Sequence, residues 1–166
     1  RFEAISTLQG ARSLAVSHAS VRTIGLYYFQ LAGGGAEAVT ISLAKMFISQ
    51  GYRVVLLCDV LPPEGTIPAG SALVLLPDFR TSGPANYLRR AHVLEEALVR
   101  HGVDVLIYSQ WLSHCLEWDQ FVTKALGVAF VVHTHGSFTN LVDQSSEDEF
   151  ALPVNYRLSD VVVCLD

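Results

Sequence analysis

The chain is short of cysteine and of basic residues, and each shortage removes a class of function. Cys58, Cys115 and Cys164 are the three cysteines among 166 residues, and all sit in apolar surroundings. No C-x-x-C pair occurs, so neither a zinc site nor a disulfide framework is expected. Eleven Lys and Arg stand against 16 Asp and Glu, for a net charge of −5. Arg89 and Arg90 are the only adjacent basic pair, which leaves no stripe for a nucleic acid and no strong patch for an anionic membrane. No apolar run nears the ~20 residues of a spanning helix. The N-terminal stretch lacks the apolar core of a signal peptide. Reduced cysteines without a leader make the cytoplasm the expected compartment. No G-x-S-x-G elbow is present, and no lysine follows the glycines as a P-loop demands.

What the chain does have is apolar bulk, at 51% of residues. That suits strands covered on both faces, as in a parallel sheet. The length fits one domain, able to bury about 70% of its unfolded surface. Arg1 in place of methionine, and an apolar run reaching to Asp166, lead us to expect a piece of a longer protein. Residues 1–20 are weakly patterned and read as an extension or linker. The domain proper is expected over 21–166.

Along that domain, strands and helices alternate. Val21–Phe29 reads as a strand and Gln30–Gly35 as a loop. Ala36–Gln50 is helical with two apolar stripes: Val39, Leu43, Met46 and Phe47, then Ile41, Ala44 and Ile48. Two stripes predict a helix covered on two sides. Strands follow at Arg53–Cys58 and Ala72–Leu76, separated by a loop rich in Pro and Gly. A helix from Pro84 to His101 presents Tyr87, Ala91, Leu94 and Leu98. Val103–Tyr108 is a fourth strand. A helix over Ser113–Leu126 is expected to bury Trp118, Phe121, Val122 and Ala125, with Asp119 outside. Val128–His133 is a fifth strand. Ser146 opens a helix to about Leu158, and Val161–Leu165 is a sixth strand. This order predicts an α/β fold: a Rossmann-like, doubly wound parallel sheet of about six strands.

Ligands of such sheets bind beyond the C-terminal strand ends, where the connections change face. Four segments fall on that edge: Gly33–Gly35, Asp59, Ser109–Trp111 and His133–Gly136. Three glycines before a helix let amides approach an anion, and the helix terminus adds partial positive charge. Gly33 to Ala38 also matches G-x-G-x-x-A, with Asp59 about where a ribose-binding acid belongs, so a dinucleotide site is an alternative. Glu37 either complements the helix dipole or contacts substrate hydroxyls. His135, beside Gly136, can face the cleft, whereas His133 reads as structural. Their i, i+2 spacing points them apart and argues against a shared metal. Trp111 either caps the core or stacks on a ligand. Asp104 and Asp160 fall on the opposite edge as turn residues.

Several of these segments resemble one family. Gly34-Gly35-Ala36-Glu37, the following helix and Gly51-Tyr52-Arg53-Val54 are similar to the opening of GT-B glycosyltransferases of family 4. Asp104 to Trp111 is similar to the fourth-strand segment of that family. Val131 to Gly136 is similar to its threonine-histidine-glycine loop, and Tyr156 to Val163 to the close of its N-terminal half. Tyr52 replaces the family's commoner histidine, and the loop has one glycine more than usual. The resemblance implies a retaining transferase that moves a sugar from a nucleotide donor to an acceptor hydroxyl, with no metal and no resident cofactor. It implies an acceptor-side domain here and a donor-binding C-terminal domain that this chain lacks. Gly33, Gly34 and Gly35 would then approach the donor diphosphate or sugar, and His135 would act at the transferred sugar. Glu37, Trp111 and Gly136 would line the substrate. Partners would be the nucleotide sugar, a glycan or lipid-linked acceptor and the missing domain, with peripheral membrane contact and no nucleic acid. A non-catalytic Rossmann-like binding module is the remaining alternative.

Overall fold

A computed structural model of the chain describes residues 20–81, 83–109, 113, 115–134 and 158–163. The elements are β1 (Thr23–Tyr27), α1 (Gly35–Ser49), β2 (Arg53–Cys58), β3 (Ser71–Leu75), α2 (Pro84–His101), β4 (Val105–Tyr108), α3 (Leu116–Ala125), β5 (Ala129–His133) and β6 (Val161–Val163). The expected extension over 1–19, the helix from Ser146 and the end of the last strand lie outside the described residues. The six strands form one sheet in the order β3-β2-β1-β4-β5-β6, and every pairing is parallel. This is the doubly wound architecture that the alternation predicts.

The strands are apolar on both sides because both sides are covered. Ile24, Leu26, Val54, Leu56 and Cys58 form one core with Ile41, Ala44, Phe47 and Ile48 of α1. The alternate residues Tyr27, Val55, Leu57, Leu106, Tyr108, Phe130 and Val132 form a second core with Leu94, Ala97, Leu98 and Leu116 of α2 and α3. The connection leaving β1 therefore runs over one face, and that leaving β4 over the other. β1 and β4 are neighbours, so the switch point lies between them. Gly25 allows their close packing: a Cβ there would sit 3.0 Å from Leu106 Cδ1 and 3.2 Å from Val103 Cγ1. At the opposite edge, Asp104 accepts the amides of Arg22 and Thr23. Asp160 accepts the amide of Phe130 and pairs with Lys124. Both pin strand starts far from the ligand edge.

Two helices depart from their expected faces. In α1, Val39 and Met46 of the first stripe are exposed, so among the described residues no second cover lies over them. Leu43 and Phe47, by contrast, pack on the sheet with the other stripe. In α3 most of the expected stripe is turned outward: Trp118 is 39% exposed, Phe121 53%, and Ala125 is exposed as well, while Val122 alone of the four packs against the core. The buried face is Leu116, Asp119, Gln120 and Thr123. Each of its polar side chains makes at least one hydrogen bond inside, although Gln120 Oε1 has no partner among the described residues, and these bonds make the burial tolerable. Gln120 Nε2 donates to Ser159 Oγ at 3.0 Å, and Thr123 Oγ1 to the Asp119 carbonyl at 2.6 Å. Trp118 instead stacks on Tyr87 of α2, with ring centroids 5.9 Å apart.

Candidate functional site

The glycine corner lies at the C-terminal end of β1, beside the switch point. Leu31 is buried in the α1-side core and anchors the loop that follows the strand. The three glycines then serve different ends. Gly33 adopts φ +118, a conformation that a side chain disfavours. Gly34 is the extended N-cap of α1, and a Cβ on it would come within 2.5 Å of Glu37 Oε2. Gly35 begins the helix, and a Cβ there would meet no atom. Glu37 is 7% exposed and folds back over Gly34. Its Oε1 accepts from Gln30 Nε2 at 2.8 Å, tying the two ends of the loop together. No side chain caps the helix. Among the described residues no acceptor meets the first-turn amides of Gly35, Ala36 and Glu37, which lie in the positive field of the helix terminus.

Beyond β1, the ends of β4 and β5 meet. Ser109 and His133 are both buried, with Ser109 Oγ 3.3 Å from His133 Nδ1. Burial holds the His133 pKa below its ordinary 6.5, which keeps the ring neutral at pH 7. The Thr134 amide donates to the Val163 carbonyl and draws β6 against this edge.

Beneath the edge lies a buried ionic cluster. Arg90 of α2 is 0% exposed. Its guanidinium donates to both carboxylate oxygens of Asp119, to Asp59 Oδ2 and to the Pro77 carbonyl. The Tyr108 hydroxyl donates to Asp119 Oδ2 at 2.9 Å. The Tyr27 ring lies under the guanidinium and 4.4 Å from the Tyr108 ring. Burial alone would lower the Arg90 pKa, but the Asp119 carboxylate reverses this and raises it. Burial raises the Asp59 pKa, and Arg90 offsets part of that rise. Two carboxylates thus share one cation. Asp59 Oδ1 and the Tyr27 hydroxyl make no hydrogen bond of normal geometry, although the hydroxyl is near enough to favour the ionised Asp59.

Comparison with known proteins assigns the fold to a family. The model of glycosyltransferase family 4 matches residues 33–165, most of the chain. The chain belongs to glycosyltransferase family 4. No curated protein sequence matches it. Among solved structures it is similar to Acinetobacter baumannii MurG, at 14% identity and TM-score 0.59, over 87% of this chain and 41% of that one. It is also similar to an α-glucosyltransferase in complex with UDP and a 13-mer DNA containing a central A:G mismatch. That match has 15% identity and TM-score 0.51, over 87% of this chain and 37% of the other. At such identities the likeness is one of fold. The chain spans about two fifths of the length of these structures.

For this family 4 domain, the structure gathers part of the expected site. Gly33, Gly34, Gly35 and Glu37 form one corner, and Ser109 and His133 stand on the same sheet edge. Trp111, His135 and Gly136 lie outside the described residues. Among the described residues no group of three His, Cys, Asp or Glu is placed to hold a metal. Two expectations are corrected. Asp59 is not a ribose-binding acid, because its side chain is wholly buried against Arg90. The dinucleotide alternative loses the residue it depends on. Asp119 is not exposed but paired in the interior. Nothing in the sequence pattern marks Arg90, Asp119, Tyr27 and Tyr108 as a cluster. The one available signal is spacing: Leu116, Asp119, Gln120 and Thr123 form a helical stripe of their own, easily passed over because it is mostly polar.

Proposed function

We propose that this chain is the acceptor-side domain of a retaining glycosyltransferase that moves a hexosyl group from a nucleotide sugar to an acceptor hydroxyl. The observation that carries the reading is the uncapped amide cluster of Gly35–Glu37 at the switch point, in a chain of glycosyltransferase family 4. Leaving-group departure puts negative charge on a diphosphate, and fixed amide donors at a helix terminus stabilise such charge. Gly33, Gly34 and Gly35 keep the backbone open enough for that approach. Glu37 is held by Gln30 at the corner, where it contacts sugar or acceptor hydroxyls. His135, Trp111 and Gly136 are assigned to the transferred sugar and the acceptor. The UDP named with the α-glucosyltransferase supports a nucleoside diphosphate leaving group.

Residues 21–166 then form one wall of the cleft, and the donor-binding wall belongs to a further domain of the same protein. Residues 1–20 serve as an extension. The acceptor is a glycan or a lipid-linked hydroxyl, as in polysaccharide synthesis. No resident cofactor or metal takes part. Among the described residues no helix is long and apolar enough to cross a membrane. The proposal places the enzyme in the cytoplasm, with contact at the inner membrane face where the acceptor is lipid-linked.

The test is a donor panel of UDP-glucose, UDP-N-acetylglucosamine and GDP-mannose with the full protein, reading nucleoside diphosphate release and the anomeric form of the product. Transfer with retained configuration is expected, together with silence from the 166-residue chain alone. Inverted product, or turnover by the isolated chain, overturns the respective part of the proposal.

A further inference from the structure

We propose that Asp59 is a positioning residue that sets the exit of β1, and through it the glycine corner, by gripping three loops at once. The Asp59 amide donates to the Phe29 carbonyl at 2.9 Å, and the Val60 amide reaches the same carbonyl at 3.2 Å. That carbonyl lies on the backbone leaving β1, just ahead of Gln30 and the glycines. The Asp59 carboxylate reaches the opposite way: Oδ2 accepts the Phe79 amide at 2.7 Å, from the loop after β3. The same oxygen accepts Arg90 Nη1 at 2.9 Å, and Arg90 is locked to Asp119 of α3. Side chains above these bonds repeat the connection. The Phe29 and Phe79 rings meet edge to face at 5.1 Å, and the Arg80 guanidinium lies 4.5 Å from the Phe29 ring centre.

One residue therefore joins the exits of β1, β2 and β3 and, through Arg90, the helix that follows β4. A site spread over several strand ends needs such a joint, because its groups share no single rigid element. The burial of Asp59 fits this role: a carboxylate with no exposed surface binds no ligand directly. The effect on chemistry would pass through the position of the Gly35–Glu37 amides, where misplacement by about 1 Å can cost on the order of a hundredfold in rate. That link to rate rests on the glycosyltransferase reading, whereas the structural joint does not.

The test uses the full protein with Asp59→Ala and Asp59→Asn. Alanine leaves Arg90 with Asp119 as its counter-charge, so no unpaired charge is buried, but it frees the Phe79 amide and leaves Arg90 Nη1 with the Pro77 carbonyl as its remaining acceptor. Asparagine keeps an acceptor oxygen for both. Hydrogen exchange is followed segment by segment, and kcat/KM per folded molecule is taken with the donor of the UDP-glucose, UDP-N-acetylglucosamine and GDP-mannose panel that turns over. For Asp59→Ala, exchange should rise roughly tenfold in 29–37 and 77–81 while the cores of β1 and β2 keep their protection. Its kcat/KM should fall at least about tenfold, and Asp59→Asn should restore both to within about threefold. Unchanged loops, or an increase spread evenly over the sheet, overturn the joint. Local loosening with unchanged kcat/KM overturns the positioning role. If the wild type turns over none of the three donors, the proposed transfer fails, and the exchange result still decides the joint.

Discussion

Replacing Arg90 with methionine should be among the most damaging single substitutions available in this domain. The methionine fills much of the space of the arginine stem but removes the cation of the buried cluster. Asp119 would lose its guanidinium partner and keep the Tyr108 hydroxyl as donor. Asp59 would lose Nη1 and keep the Phe79 amide. Two carboxylates would then lie buried without a counter-charge. Breaking a buried pair from one side costs about 3–5 kcal/mol. Total stability is typically about 5–15 kcal/mol, so the variant would lie near the unfolding threshold.

The sign of its pH dependence follows from Asp59. Burial already raises its pKa above the ordinary 3.8, and Arg90 is the main restraint on that rise. Without Arg90 the folded pKa climbs further. An acid with a raised folded pKa weakens folding as pH rises from the unfolded value through the folded one. The deficit should therefore be larger at pH 8 than at pH 5, and every further tenfold loss of Asp59 acidity in the folded state adds about 1.4 kcal/mol to it. Urea unfolding of the full protein and the variant, read by tryptophan fluorescence, measures this at both pH values. A variant that also carries Asp59→Asn and Asp119→Asn removes the charges and should recover most of the loss. A deficit under about 1 kcal/mol, or one equal at the two pH values, would refute the reasoning.

Two further predictions concern single side chains. Alanine at Gly34 must displace the Glu37 carboxylate and break its bond to Gln30, whereas alanine at Gly35 meets no atom. Gly35→Ala should leave thermal stability unchanged or raised by up to about 1 kcal/mol, and Gly34→Ala should lower it, as melting of the two variants would show. Burial pushes the Cys58 and Cys115 thiols up to about 12. Neither should react with an aromatic disulfide reagent at pH 8 until urea is added, and modification of either in the native protein would contradict that burial.

The fold is legible in the sequence because its signal is redundant. β2 is apolar at five consecutive positions, and Gly51 and Gly102 stop their helices where the periodicity ends. The face of α3 is not legible, because the rule that aromatic residues point inward outranks the stripe of Leu116, Asp119, Gln120 and Thr123. The reason Asp119 belongs inside is Arg90, 29 residues earlier, and Gln120 finds its partner in Ser159, 39 residues later; such pairing leaves no local trace. Asp59 shows the same limit from the other side. An acid just after a strand has the same spacing whether it faces a ligand or the interior. The glycine corner is readable in kind, but the division of labour among Gly33, Gly34 and Gly35 depends on a φ angle and on the fold-back of Glu37.

The strand order also governs the sequence of events during synthesis. β1 pairs on one side with β2, made soon after it, and on the other with β4, whose Val105 aligns with Ile24 from 81 residues downstream. At ribosomal rates of about 5–20 residues per second, β1 waits on the order of 4–16 s for that second neighbour. Throughout that interval one ladder edge of the future central strand is open to any passing extended chain. The strand that leads into the glycine corner is thus the one that a nascent-chain chaperone has most reason to shield.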